Sequence, residues 1–162
     1  MNGRDAARAV DALLRGWTVT VQAADGALRL MAVEGADAVT LATFDPAGAA
    51  DILIAASRAQ TLKLANQRAA ADPDMPVLIA RSPWIDGDVA TAIADPVRDL
   101  GSPLKGPFLA KAISAPEAAK AALRLARLAG ILPAFFVSGE AGAYEAEVSA
   151  EAIAAYDDAI HL

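Results

Sequence analysis

Carboxylates, hydroxyls, lysines and arginines are the side chains with which this chain would have to do chemistry. It has no cysteine, and its one histidine is His161. Thiolates and imidazoles supply most metal sites and most covalent catalysts near neutral pH. What remains is a short set of groupings. Asp86-Gly87-Asp88 has the paired carboxylates that can hold a divalent cation. Its simpler reading is a helix cap with a second acid in the first turn, where the helix dipole favours negative charge. Lys105 lies in Gly101-Ser102-Pro103-Leu104-Lys105-Gly106-Pro107, where its ammonium is a candidate to meet a phosphate. The segment lacks the Gly-x4-Gly-Lys-[Ser/Thr] spacing and the strand–loop–helix setting of a nucleotide cradle, so a connecting loop is the simpler reading.

Lys120, Arg124 and Arg127 are spaced four and three apart and therefore share one helix face. Such a row can bind an anion. Its simpler readings are a solvated face or pairing with acids across an interface. Lys111 lies nearby in sequence. Asp72 and Asp74 flank Pro73 and read as turn residues. Asp157-Asp158 reads as a solvated helix face. His161 has no neighbour in sequence that would serve as its partner, and it sits where chains fray, so no catalytic role is expected of it.

These residues need elements to position them. Arg4 to Gly16 has helical apolar spacing at Ala7, Val10, Leu13 and Leu14, with Gly16 as its stop. Trp17 to Val21 alternates as a strand, Asp25-Gly26 is a hairpin signal, and Leu28 to Val33 is the return strand. Ala36 to Asp45 fits either a strand or a helix. Asp51 to Ala56 and Met75 to Ala80 are short apolar runs that suit strands buried on both faces. Ser57 is expected to cap a helix over Arg58 to Arg68, and Asp72-Pro73-Asp74 breaks the chain. Asp86 or Asp88 caps a helix ending near Asp95-Pro96. A Gly/Pro segment runs from Asp95 to Pro107, with a short strand-like piece from Phe108 to Ile113. Ser114-Ala115-Pro116-Glu117 has the capping-box pattern and opens a helix that ends at Gly130. Leu132 to Val137 is a strand, Gly139 to Gly142 a turn and Tyr144 to Val148 an edge strand. Ser149 caps a last helix to about Asp158. Helices and strands interleave, so the expected class is α+β, a mixed sheet with helices. With 162 residues, no repeat and no linker, one domain over 1–162 is expected.

Composition narrows the partners. The chain is 56% hydrophobic, enough for a sizeable core, with a formal charge of −6. That charge argues against nucleic acid and anionic membranes as partners, and no basic stripe with interleaved aromatics is present. Met1 to Arg8 is followed by no apolar h-region, so no signal peptide is expected. No apolar run approaches the roughly 18 residues of a membrane span. The expectation is a cytoplasmic protein.

One stretch is more specific. Leu125-Ala126-Arg127-Leu128-Ala129-Gly130-Ile131-Leu132-Pro133-Ala134 resembles the helix-to-strand turn of 3,4-dihydroxy-2-butanone 4-phosphate synthases, which make the four-carbon precursor of riboflavin from ribulose 5-phosphate. Leu13-Leu14-Arg15-Gly16, Leu30-Met31-Ala32, Ile93-Ala94-Asp95-Pro96 and the stretch from Val148 to Tyr156 resemble other parts of that family in the same order, over almost the whole chain.

The resemblance implies a test. The family carries an acidic Asp-Asp-Glu-Asp-Arg-Glu-Asn-Glu-Gly-Asp loop between its first two strands, which binds magnesium and supplies acid–base groups. It also carries Gly-His-Thr-Glu at a later helix start. Here the first connection is only Gln22-Ala23-Ala24-Asp25-Gly26-Ala27. Counting back from Gly130 puts Ala118, Ala119 and Lys120 where the His, Thr and Glu would lie. No catalytic residue and no metal ligand carries over, and no cofactor is expected. Removing a proton beside a carbonyl and eliminating formate requires metal and acid–base groups that a short Asp-Gly hairpin does not supply.

The chain is still more similar to degenerate, alanine-rich domains at the N-terminus of some bacterial GTP cyclohydrolase II proteins. In those proteins a catalytic domain with three zinc-binding cysteines follows. The resemblance implies a non-catalytic domain of riboflavin biosynthesis acting in dimerisation or regulation. Its partners would be a second copy and a GTP cyclohydrolase II catalytic domain. The face Ala118, Ala122, Leu125 and Ala129 is expected to allow close helix contact between copies. The alternative is an enzyme or binder of a phosphorylated sugar or nucleotide using relocated residues: Asp25, Asp86, Asp88, Lys105 or the Lys120 row.

Overall fold

In a computed structural model, which describes residues 3–99, 107–138 and 142–161, the chain builds a seven-stranded mixed sheet with helices on both faces. The strands are β1 (Val19–Ala23), β2 (Gly26–Ala32), β3 (Asp51–Ile54), β4 (Val77–Ile79), β5 (Ala110–Lys111), β6 (Ala134–Ser138) and β7 (Ala146–Ser149). The helices are α1 (Gly3–Leu14), α2 (Ala38–Phe44), α3 (Ala56–Thr61), α4 (Gly87–Ala94), α5 (Pro116–Ala129) and α6 (Ala150–Ile160). The sheet order is β5-β4-β3-β6-β2-β1-β7. Among the described residues only β1 and β7 pair in parallel; every other pair is antiparallel. The α+β class is therefore the one the residues adopt.

The side-chain period of two divides each central strand between two cores. Leu28 and Leu30 of β2, Leu53 of β3, and Phe135 and Val137 of β6 face α1, α5 and α6. Met31, Ile52, Ile54, Ala134 and Phe136 point the other way, toward α3, α4 and the Phe44 end of α2. This is why the apolar runs at 51–54 and 77–79 lack alternation: both faces are covered. Double burial occurs here with antiparallel neighbours on both sides of β3.

Several local expectations need correction. The predicted helix over Arg58 to Arg68 stops early, and Ser57 does not cap it: the helix starts at Ala56, and its N-cap Ala55 has no side-chain bond. Lys63 turns into the left-handed region at φ 64, and the N–H of Leu64 reaches back to the Ala59 carbonyl at 2.9 Å. That is the helix-ending motif usually built on glycine. Leu64, buried in the second core, supplies the apolar anchor. Gln67 then serves as a stand-in strand. Its side chain donates to the Phe108 carbonyl at 2.8 Å and accepts from the Ala110 N–H at 2.7 Å. The ambiguous stretch at 36–45 is a helix, capped by Asp37 and Thr40 in a reciprocal box.

Two arginines, Arg58 buried and Arg81 partly so, fasten the second face. Arg58 donates from Nε to the Ile93 carbonyl at 2.6 Å and from Nη2 to the Ala92 carbonyl at 3.0 Å. It also grips both oxygens of Asp99 at 2.7 and 2.9 Å. A cation thus closes the C-terminal carbonyls of α4, where the helix dipole favours it. Arg81 joins Asp45 at 3.0 Å, with both side chains nearly buried, and also bonds the carbonyls of Ala50 and Ile85. No side-chain nitrogen or oxygen is buried without a partner among the described residues.

Candidate functional site

The first hairpin and the start of α5 lie against each other. The turn residues of the hairpin are Ala24 and Asp25, since Ala23 pairs with Gly26. Gly26 opens β2 at φ +141, a backbone that other residues rarely adopt. A Cβ built there would stand 3.4 Å from the Cβ of Ala115, the N-cap of α5. The Asp25 carboxylate accepts a hydrogen bond from the Glu117 N–H at 2.7 Å. The expected Ser114 capping box is therefore corrected: Ala115 occupies the cap, Pro116 follows it, and the cap's oxygen comes from Asp25. Helix starts leave free N–H groups that attract negative charge, and Asp25 meets that need from the hairpin.

Behind this contact the space is filled. Ala118 and Ala119 are 0% exposed and pack in the first core with Val19, Val21 and Leu28. Ala118 and Ala119 thus place methyl groups inside a closed core. The same burial corrects the expected dimer face. Ala118, Ala122 and Leu125 are fully buried within this chain, against α1, α6 and β1, and cannot meet another copy.

Lys120 escapes the core and lies with Arg124 and Arg127 along one groove of about 690 Å³. The shared helix face read from spacing is correct. Arg124 forms a close ion pair with Asp157 of α6 and a longer one with Asp158 at 3.5 Å. Arg127 reaches Asp157 at 3.4 Å, and Lys120 reaches Glu117 at 3.6 Å. Two sequence readings change here. Asp157 is 7% exposed rather than solvated. His161 has a partner after all: its Nδ1 lies 2.8 Å from an Asp157 oxygen, one helical turn back. The hydrogen bond from Arg124 holds the Asp157 carboxyl below its usual value, with Arg124, His161 and Arg127 adding charge attraction against the opposing effect of burial. The i, i+4 spacing of Asp157 and His161 was the available signal for that pair.

The remaining candidates have structural tasks. Asp86 is the N-cap of α4, accepting from the Val89 N–H at 3.0 Å, and Asp88 lies in that helix's first turn. No group of three or more His, Asp or Glu among the described residues is arranged to hold a metal ion. Lys111 pairs with Asp51 at 2.8 Å. Lys105 lies outside the described residues, as do most of the Asp95 to Pro107 segment's later positions and Gly139 to Ala141 of the expected turn. No helix among the described residues is long and apolar enough to cross a membrane. No protein-family model matches this chain, and no curated protein matches it.

Proposed function

We propose that this chain is a non-catalytic, synthase-like cytoplasmic domain that acts by association, supporting or regulating a GTP cyclohydrolase II module of riboflavin biosynthesis. The observation that carries this reading is the closure of the hairpin onto α5. The two segments that would build the parent active site meet, but they meet through Asp25 and Glu117, with buried alanines behind them. A carboxylate spent on a helix cap and two methyl groups offer no acid–base pair and no metal ligands. On this reading a synthase-like fold would persist without the residues its chemistry needs.

Association would use a face other than α5. Helix α2 supports this: Val39 is 76% exposed, and Ala38 and Ala42 of the same helix are exposed, as are Pro46, Ala47 and Ala49 beyond it. These six residues carry no formal charge. On a chain of net charge −6, an uncharged apolar patch is where two copies repel each other least. Incubation with ribulose 5-phosphate and magnesium, followed by a formate assay, tests the loss of chemistry. Formate release above the uncatalysed rate would contradict it.

A further inference from the structure

The groove along α5 is left unused by an association role, and its lining is specific. Its volume of about 690 Å³ is typical of small-molecule sites. Three of the chain's 14 basic residues line it, against one acid, Asp74, on a protein whose net charge is −6. The rest of the lining is mainly aliphatic: Leu123 of α5, Ile131, Met75 and three prolines.

The cations are only partly engaged. Lys120 is 43% exposed at the side chain and its Glu117 contact is 3.6 Å long. Arg127 is 70% exposed and touches Asp157 through a single Nη2 at 3.4 Å. Exposed pairs of this kind contribute little, so a phosphate can take over their donors, in forked geometry at Arg127. Arg124, tied to Asp157, acts as a positioning residue that fixes this face of α5 against α6.

We propose that this groove binds a nucleotide, with its phosphate on Lys120 and Arg127 and its base against the aliphatic lining. A sugar phosphate or bare phosphate would leave that lining wet, and a neutral nucleoside would leave the cations unmatched. A nucleotide satisfies both, and the exposed Asp74 carboxylate is an acceptor for ring or ribose donors. Calorimetric titration of the whole chain at low salt with GMP, AMP, guanosine and inorganic phosphate tests this. At least one nucleotide should bind about tenfold more tightly than guanosine or phosphate. The Lys120→Ala/Arg127→Ala variant should lose about tenfold in that affinity while keeping its melting temperature. Absence of nucleotide binding, equal binding of inorganic phosphate, or a variant that binds as well as the parent would each overturn the proposal.

Discussion

The Asp25 carboxylate accepts a hydrogen bond from the backbone N–H of Glu117 at 2.7 Å, joining residues 92 positions apart. One contact therefore caps the longest described helix and holds the first hairpin against it.

Removing that cap should cost stability and nothing else. Asp25→Ala is expected to destabilise the fold by about 1 kcal/mol, as for other lost N-caps, in urea denaturation with an unchanged slope. An unaltered midpoint would mean that the α5 start is satisfied by water.

Placing a histidine at the start of α5 should fail. Ala118→His places an imidazole where a fully buried methyl group now packs. Overpacking of this kind costs about 1–3 kcal/mol, and the polar nitrogens would add to it. The variant should melt lower and show no magnesium-dependent rise in melting temperature. A magnesium-stabilised variant would indicate a site with room for its ligands.

Arg58→Ala should be among the most damaging single changes. It removes the guanidinium that meets two carbonyls of α4 and both oxygens of Asp99. The Asp99 side chain is 31% exposed, so the main cost is the stranded carbonyls of Ala92 and Ile93, about 1–3 kcal/mol. Arg58→Lys should not rescue it, because a single ammonium cannot span that fork. Chemical denaturation of both variants checks this.

Acid should weaken the fold through three carboxylates. Asp99 is held below its usual value by the Arg58 hydrogen bond, Asp157 by the Arg124 hydrogen bond, and Asp37 by the Thr40 backbone and side-chain bonds. A depressed folded-state pKa means that the unfolded chain binds protons first. The stabilisation is thus present above the ordinary value of 3.8 and is lost as the pH falls through the lower folded values. The melting temperature should drop steeply below about pH 4, and less steeply in Asp157→Asn, which has no proton to take up there.

Much of this was legible because it is local. The α1 stop at Gly16, the hairpin at Asp25-Gly26, the α5 end at Gly130 and the α6 cap at Ser149 each follow from residues within a few positions. Gly130 takes φ 72 and Ser149 accepts from the Ala152 N–H, as such residues do. The misses are contacts between distant residues. Nothing near Ser114 says that Asp25 will cap its helix. Nothing near Arg58 says that it will bury itself against α4. The helix expected to Arg68 ends where Lys63 turns left-handed and Leu64 enters the core, and Gln67 beyond it is taken by Phe108 and Ala110, 41 and 43 residues away. Spacing placed Lys120, Arg124 and Arg127 on one face correctly, but not the buried Asp157 that binds two of them.

Association is the central claim, and light scattering over a range of concentrations tests it most directly. The account predicts a species of twice the 16.5 kDa protomer mass, dispersed by Val39→Glu with the melting temperature of the monomer retained. A strict monomer at the highest concentration would contradict it.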